Sequence, residues 1–130
     1  MLKYQKEKAD YWKTSSKRDL DFAEKLFSDK EYSYSLFFLH LAIEKIFKGI
    51  FLVKTGQHPI PTHNLVYLAQ KDGIKLTPDF ELQLKEITKF NITARYDDYK
   101  LQFYKQATKE YTYLWFDIGK EIYLKFSRLL

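Results

Sequence analysis

The stretch Asn91-Ile92-Thr93-Ala94-Arg95-Tyr96-Asp97-Asp98-Tyr99 sets an arginine among charged and aromatic neighbours, in a break between two helical segments. The chain has 22 basic residues, yet only Arg18, Arg95 and Arg128 are arginine. A guanidinium carries a fixed fork of donors that matches phosphate or carboxylate, a geometry an ammonium cannot copy. Arg95 is therefore a candidate phosphate ligand, Lys100 a second charge, and Tyr96 a ring on which a base can stack. The plainer alternative is a helix-end ion pair of Arg95 with Asp97, Asp98 or an upstream glutamate.

A second group of polar residues lies on the most apolar segment of the chain. His40, Glu44 and Lys48 recur at intervals of four, which places them on one helical face with modest angular drift. In a phosphate-binding arrangement Lys48 adds charge, and Glu44 orients Arg95 or pairs with Lys48. The competing reading is a Glu44–Lys48 surface pair with His40 at an edge. His63, at the start of a short helix, suits capping or packing better than catalysis. The three histidines are His40, His58 and His63, too few and too unevenly spaced for a histidine-rich metal site. No cofactor is implied. A glycine-rich phosphate loop, a serine nucleophile elbow, an HExxH helix and a DxDxG calcium loop are all missing from the sequence.

The elements that must position these residues are helical. Glycine is confined to Gly49, Gly56, Gly73 and Gly119, and proline to Pro59, Pro61 and Pro78, so breaks are few. A first helix is predicted from about Leu2 to Phe27, with Leu20, Ala23, Leu26 and Phe27 inward and a polar first half. A second runs from about Tyr32 to Lys54. It is apolar around most of its circumference, as befits the centre of a bundle. Gly56 ends it, and Gln57-His58-Pro59-Ile60-Pro61 must be extended, because residues before proline are pushed out of the α region. Thr62 or Asn64 caps a short helix from Leu65 to about Lys71. Thr77-Pro78 opens a fourth, to about Phe90, with Phe80, Leu84, Ile87 and Phe90 inward. A last helix is predicted from about Leu101 to Leu130, its stripe being Tyr104, Ala107, Tyr111, Leu114, Ile118 and Ile122. Five helices without a strand make an all-α antiparallel bundle.

At 130 residues and 15.7 kDa the chain suits one domain over 1–130 that buries roughly two thirds of its unfolded surface. With 11 Tyr and 11 Phe the interior is built from large rings, and the apolar surplus favours an oligomer, with the last helix as the expected seam. Zero cysteines exclude disulfides and thiolate catalysis. No apolar leader or membrane span is visible, so the expectation is a soluble cytoplasmic protein without a membrane partner. The net charge of +5 is interleaved with 17 acidic residues and is weak evidence for nucleic acid.

Four segments carry a family resemblance: Glu31-Tyr32-Ser33-Tyr34-Ser35; Leu41-Ala42-Ile43-Glu44-Lys45-Ile46-Phe47-Lys48-Gly49-Ile50; Pro61-Thr62-His63-Asn64-Leu65; and Asn91 through Asp97. In this order and spacing they resemble the HEPN family (higher eukaryotes and prokaryotes nucleotide-binding) over essentially the whole length. The resemblance implies a five-helix up-and-down bundle with one short helix, a symmetric homodimer, and a minimal nucleotidyltransferase encoded nearby. In many such toxin-antitoxin pairs the HEPN protein is a metal-independent ribonuclease toxin, whose motif is an arginine, four to six residues, then a histidine.

Arg95 matches the arginine, but Lys100, Leu101 and Gln102 occupy the histidine positions, and no histidine follows Arg95. The tyrosine associated with the motif is also missing, Gln102 standing in its place. Cleavage of RNA through its own 2′-hydroxyl needs a group of near-neutral pKa, which histidine has by default. The reading is therefore a HEPN-type module that binds a nucleotide or RNA phosphate, or partners a nucleotidyltransferase, without an intact ribonuclease motif. The alternative is a ribonuclease using Arg95 and a displaced base such as His63.

Overall fold

A computed structural model describes residues 3–92 and 95–130. Leu2, the expected start of the first helix, and Thr93 and Ala94 of the arginine loop lie outside the described residues. Six helices follow in order: α1 Lys3–Ser28, α2 Tyr32–Thr55, α3 Leu65–Lys71, α4 Pro78–Thr88, α5 Asp97–Gln106 and α6 Lys109–Ser127. No strand is present among the described residues, and no described helix is long and apolar enough to cross a membrane.

α1 and α2 form a hairpin with the most extensive helix–helix contact in the molecule. Its turn needs no glycine. Glu31 N–H bonds the carbonyl of Leu26 at 2.8 Å and Lys30 N–H that of Phe27 at 3.0 Å, a Schellman ending with Lys30 at φ 62°. α2 is the core helix: Leu36, Leu39, Ile43, Ile46, Phe47 and Ile50 are all buried. Leu20 and Ala23 of α1, Leu65 and Leu68 of α3, Leu84 and Ile87 of α4, and Ile122 and Phe126 of α6 close around it.

The long helices alternate in direction. Phe27 at the end of α1 meets Tyr113 and Phe116 early in α6, Leu39 faces Gly119, and Phe47 packs edge-on against Phe126 at 5.5 Å, so α6 runs parallel to α2. α4 runs against α6, with Phe80 stacked on Phe126 at one end and Tyr111 bonded to Glu86 at 2.7 Å toward the other.

One expected helix is two. The segment read as a single helix from about Leu101 starts earlier, at Asp97, and is interrupted at Ala107-Thr108. Asp97 and Asp98 suit a first turn, where carboxylates meet the positive end of the helix dipole. Thr108 then caps α6, its hydroxyl accepting from Tyr111 N–H at 3.2 Å. Because the register changes there, Tyr104 and Leu114 of the expected inward stripe are exposed, while Ala107 and Ile122 are buried. The fourth helix stops at Thr88, two residues short of Phe90, which still enters the core.

Candidate functional site

The polar row of α2 is buried, because α2 is covered on nearly every side. His40 is fully buried and Glu44 and Lys48 almost so, which corrects the reading of a surface pair. The cover over this face is the segment after α2. Gly56, at φ 69°, turns the chain out of the helix, and the segment through Pro59 and Pro61 returns it across the middle of α2. His63 thereby lands on the row.

There the Glu44 carboxylate is shared. Its Oε2 accepts from Lys48 Nζ at 3.0 Å, and its Oε1 lies 2.8 Å from His63 Nδ1. His40 Nε2 donates to the backbone carbonyl of His63 at 3.1 Å and lies 3.7 Å from Glu44 Oε1. A carbonyl can only accept, so His40 carries its proton on Nε2. Burial pushes its pKa down and keeps it neutral, although Glu44 opposes that shift. A carboxylate bonded to Lys48 likewise accepts, so His63 presents Nδ1–H inward and turns Nε2 outward. The His63 side chain is 56% exposed, and Nε2 has no partner among the described residues. An imidazole held in one tautomer by a buried carboxylate, with its second nitrogen in solvent, has the form of an oriented proton acceptor.

His63 does not cap α3; Asn64 does, its side chain accepting from Tyr67 N–H at 3.1 Å. Two histidines and a glutamate meet here without forming a metal set, since His40 commits Nε2 to a carbonyl and His63 commits Nδ1 to Glu44. Among the described residues no group of three or more His, Cys, Asp or Glu is arranged around a metal position.

Arg95 and the residues after it, Tyr96 to Asp98, are exposed. Arg95 has no ion-pair partner among the described residues and lies with its guanidinium 5.0 Å from the centroid of the Tyr99 ring. Tyr96, at the N-cap of α5, is 92% exposed, and Lys100 reaches Asp97 at 4.0 Å on the surface. Glu44 therefore engages Lys48 and His63, not Arg95, and the charge of Lys48 is balanced within the buried group. The two groups are linked through Thr88. Leu65 N–H, two residues after His63, bonds Thr88 Oγ1 at 3.1 Å, and the arginine loop begins just beyond Thr88.

The family model for the HEPN domain matches residues 9–125, nearly the whole chain and every residue of both groups. The chain belongs to the HEPN family. The solved structure of TT1696 from Thermus thermophilus has a similar fold: TM-score 0.78 at 19% identity, over 94% of this chain and 98% of that one. No curated protein sequence matches. Within this HEPN protein the signals that located Arg95, Glu44, Lys48 and His63 were residue type and spacing. Thr88, which anchors one group beside the other, carried no such signal, being one threonine at the end of an ordinary helix.

Proposed function

We propose that this HEPN protein binds the phosphate of a nucleotide or of RNA through Arg95. Tyr96 offers a stacking face and Lys100 supplementary charge, and the chain acts in the cytoplasm as a homodimer partnering a minimal nucleotidyltransferase in a toxin-antitoxin-like system. The observation that carries the reading is the state of Arg95: exposed, free of a carboxylate partner among the described residues, and resting on the face of Tyr99. An arginine that serves only to close a helix end would be expected to engage the nearby Asp97 or Asp98; this one keeps its planar fork of donors available to a phosphate. Glu44 and Lys48 contribute indirectly, by fixing the buried group under His63. Arg95→Ala should weaken binding of a short single-stranded RNA about tenfold or more, the loss of one charge-assisted contact, with an unchanged melting temperature. Unchanged affinity together with a large fall in melting temperature would make Arg95 structural. Co-purification with an encoded nucleotidyltransferase neighbour tests the partner, and sedimentation tests the dimer.

A second reading has its own observation. The Glu44–His63 pair at 2.8 Å gives the protein an oriented histidine in place of the one missing after Arg95. A metal-independent ribonuclease would then use His63 to take the 2′-hydroxyl proton and Arg95 to hold the phosphate, within one chain or across a dimer. Cleavage by the wild type that persists in EDTA and is lost in both His63→Ala and Arg95→Ala would establish it; an inert wild type would remove it.

A further inference from the structure

We propose that the cleft between the α1–α2 turn and the α5–α6 joint is a binding site for a phosphomonoester, distinct from the Arg95 loop. The cleft encloses about 400 Å³ and is lined by Lys30, Glu31, Ser33, Tyr104, Lys105 and Thr108 among others. Two helices begin on it, α2 with 24 residues and α6 with 19. α2 brings the positive end of its dipole and its first turn, Tyr32 and Ser33, to this space, whereas α6 reaches it through its cap residue Thr108 and carries Glu110 in its first turn. α2 is open in a specific way: its N-cap residue Glu31 makes no side-chain cap bond, and its first turn holds no acidic residue. α3, α4 and α6 are each capped by a side chain.

Helix ends alone attract any anion weakly; Ser33 makes this place a site. It is only 7% exposed and lines the cleft, and its hydroxyl has no hydrogen-bond partner among the described residues. Its hydroxyl oxygen still opens onto the cleft and is not among the fully enclosed unpartnered atoms of the described residues, whereas the neighbouring Ser35 turns into the core and bonds the carbonyl of Ala23 at 2.7 Å. Ser33 is instead left to whatever enters the cleft. Lys30 and Lys105 stand at the rim, neither with an ion-pair partner among the described residues. Against them stands the single carboxylate of Glu31, so the rim side chains carry one net positive charge.

A tetrahedral, doubly charged oxyanion satisfies all of these at once: N–H groups of α2, the Ser33 hydroxyl and two ammonium groups. Tyr104, exposed beside Lys105, gives a ring to any planar group attached to the phosphate. The phosphoryl group is common to inorganic phosphate and to a nucleoside monophosphate, and only the second would use the ring.

The test is titration of the full chain with inorganic phosphate and, separately, with AMP. Binding is read by calorimetry and by backbone amide shifts at residues 32–34 and 109–110. Saturable binding at those amides is expected. Lys105→Ala should weaken it about tenfold and Ser33→Ala several-fold, with melting temperatures little changed, since neither side chain has a hydrogen-bond or ion-pair partner among the described residues. Arg95→Ala should leave this site unaffected, so its failure and that of the Arg95 reading are separable. AMP tighter than phosphate, with the difference removed by Tyr104→Ala, identifies a nucleotide; equal affinities identify the phosphoryl group alone. The proposal is overturned by amide shifts confined to the Arg95 loop, by affinity unchanged in both Ser33→Ala and Lys105→Ala, or by no saturable binding in the millimolar range.

Discussion

Glu44 accepts from two side chains in the middle of the core helix, so its removal leaves Lys48 buried without its counter-charge and His63 without an anchor. Breaking a buried ion pair from one side costs about 3–5 kcal/mol. Glu44→Ala should lose that much in urea unfolding, whereas His63→Ala, which removes a half-exposed ring, should lose far less. Asp72 is a second buried carboxylate with a different signature. It is 1% exposed, and neither side-chain oxygen has a partner among the described residues. Burial pushes its pKa up from 3.8 to about 7, Lys54 pulling weakly the other way. In that window the folded state holds the proton and the unfolded state does not. The contribution of Asp72 is thus full below about pH 4 and lost as pH rises to about 7. Asp72→Asn should therefore gain stability over wild type at pH 8 and converge with it at pH 4. His40 works in the opposite sense, its lowered pKa removing stability as pH falls below its ordinary 6.5. The difference between Asp72→Asn and wild type cancels that contribution. Spacing made the α2 row legible in the sequence, but not its burial under His63, because that depends on how residues 57–62 fold back. Nothing in the sequence marked Asp72.

Among the elements, those with glycine, proline or a capping residue at their ends were readable: α2 through Gly56, α3 through Asn64 and α4 through Thr77-Pro78. The two joints without glycine or proline were less so, although Thr108 caps α6 at one of them. The α1–α2 turn puts a lysine in the left-handed conformation that glycine adopts freely, and the α5–α6 break falls at Ala107-Thr108 inside what reads as continuous helix. These two joints form the phosphate cleft, so the structure departs from simple sequence rules where a ligand site is proposed. A left-handed non-glycine residue costs about 1 kcal/mol. Lys30→Gly should thus raise the melting temperature by a few degrees while weakening phosphate binding, a pair of opposite signs that a purely structural role for Lys30 would not produce. Thr108→Ala should cost about 1 kcal/mol, the loss of one cap, read in thermal unfolding.

At the scale of the whole molecule, the all-helical bundle follows from one over-apolar helix that needs covering on every side and from five others with apolar faces to offer. That much was visible in composition and period. The direction in which α6 lies was not, since it depends on where the intervening helices leave the chain. α6 returns parallel to α2 and approaches it at Gly119, where an added Cβ would stand 2.5 Å from Leu39 Cδ2. That close approach also bears on the route by which the protein assembles. The α1–α2 hairpin joins neighbours in sequence and closes quickly, whereas α6 must find α2 across roughly eighty residues, a slow encounter for a small helical protein. If α6 docks after the rate-limiting barrier, Gly119→Ala will hardly change the refolding rate and will speed unfolding severalfold. Stopped-flow kinetics would then place α6 among the last helices to arrive and the first to leave.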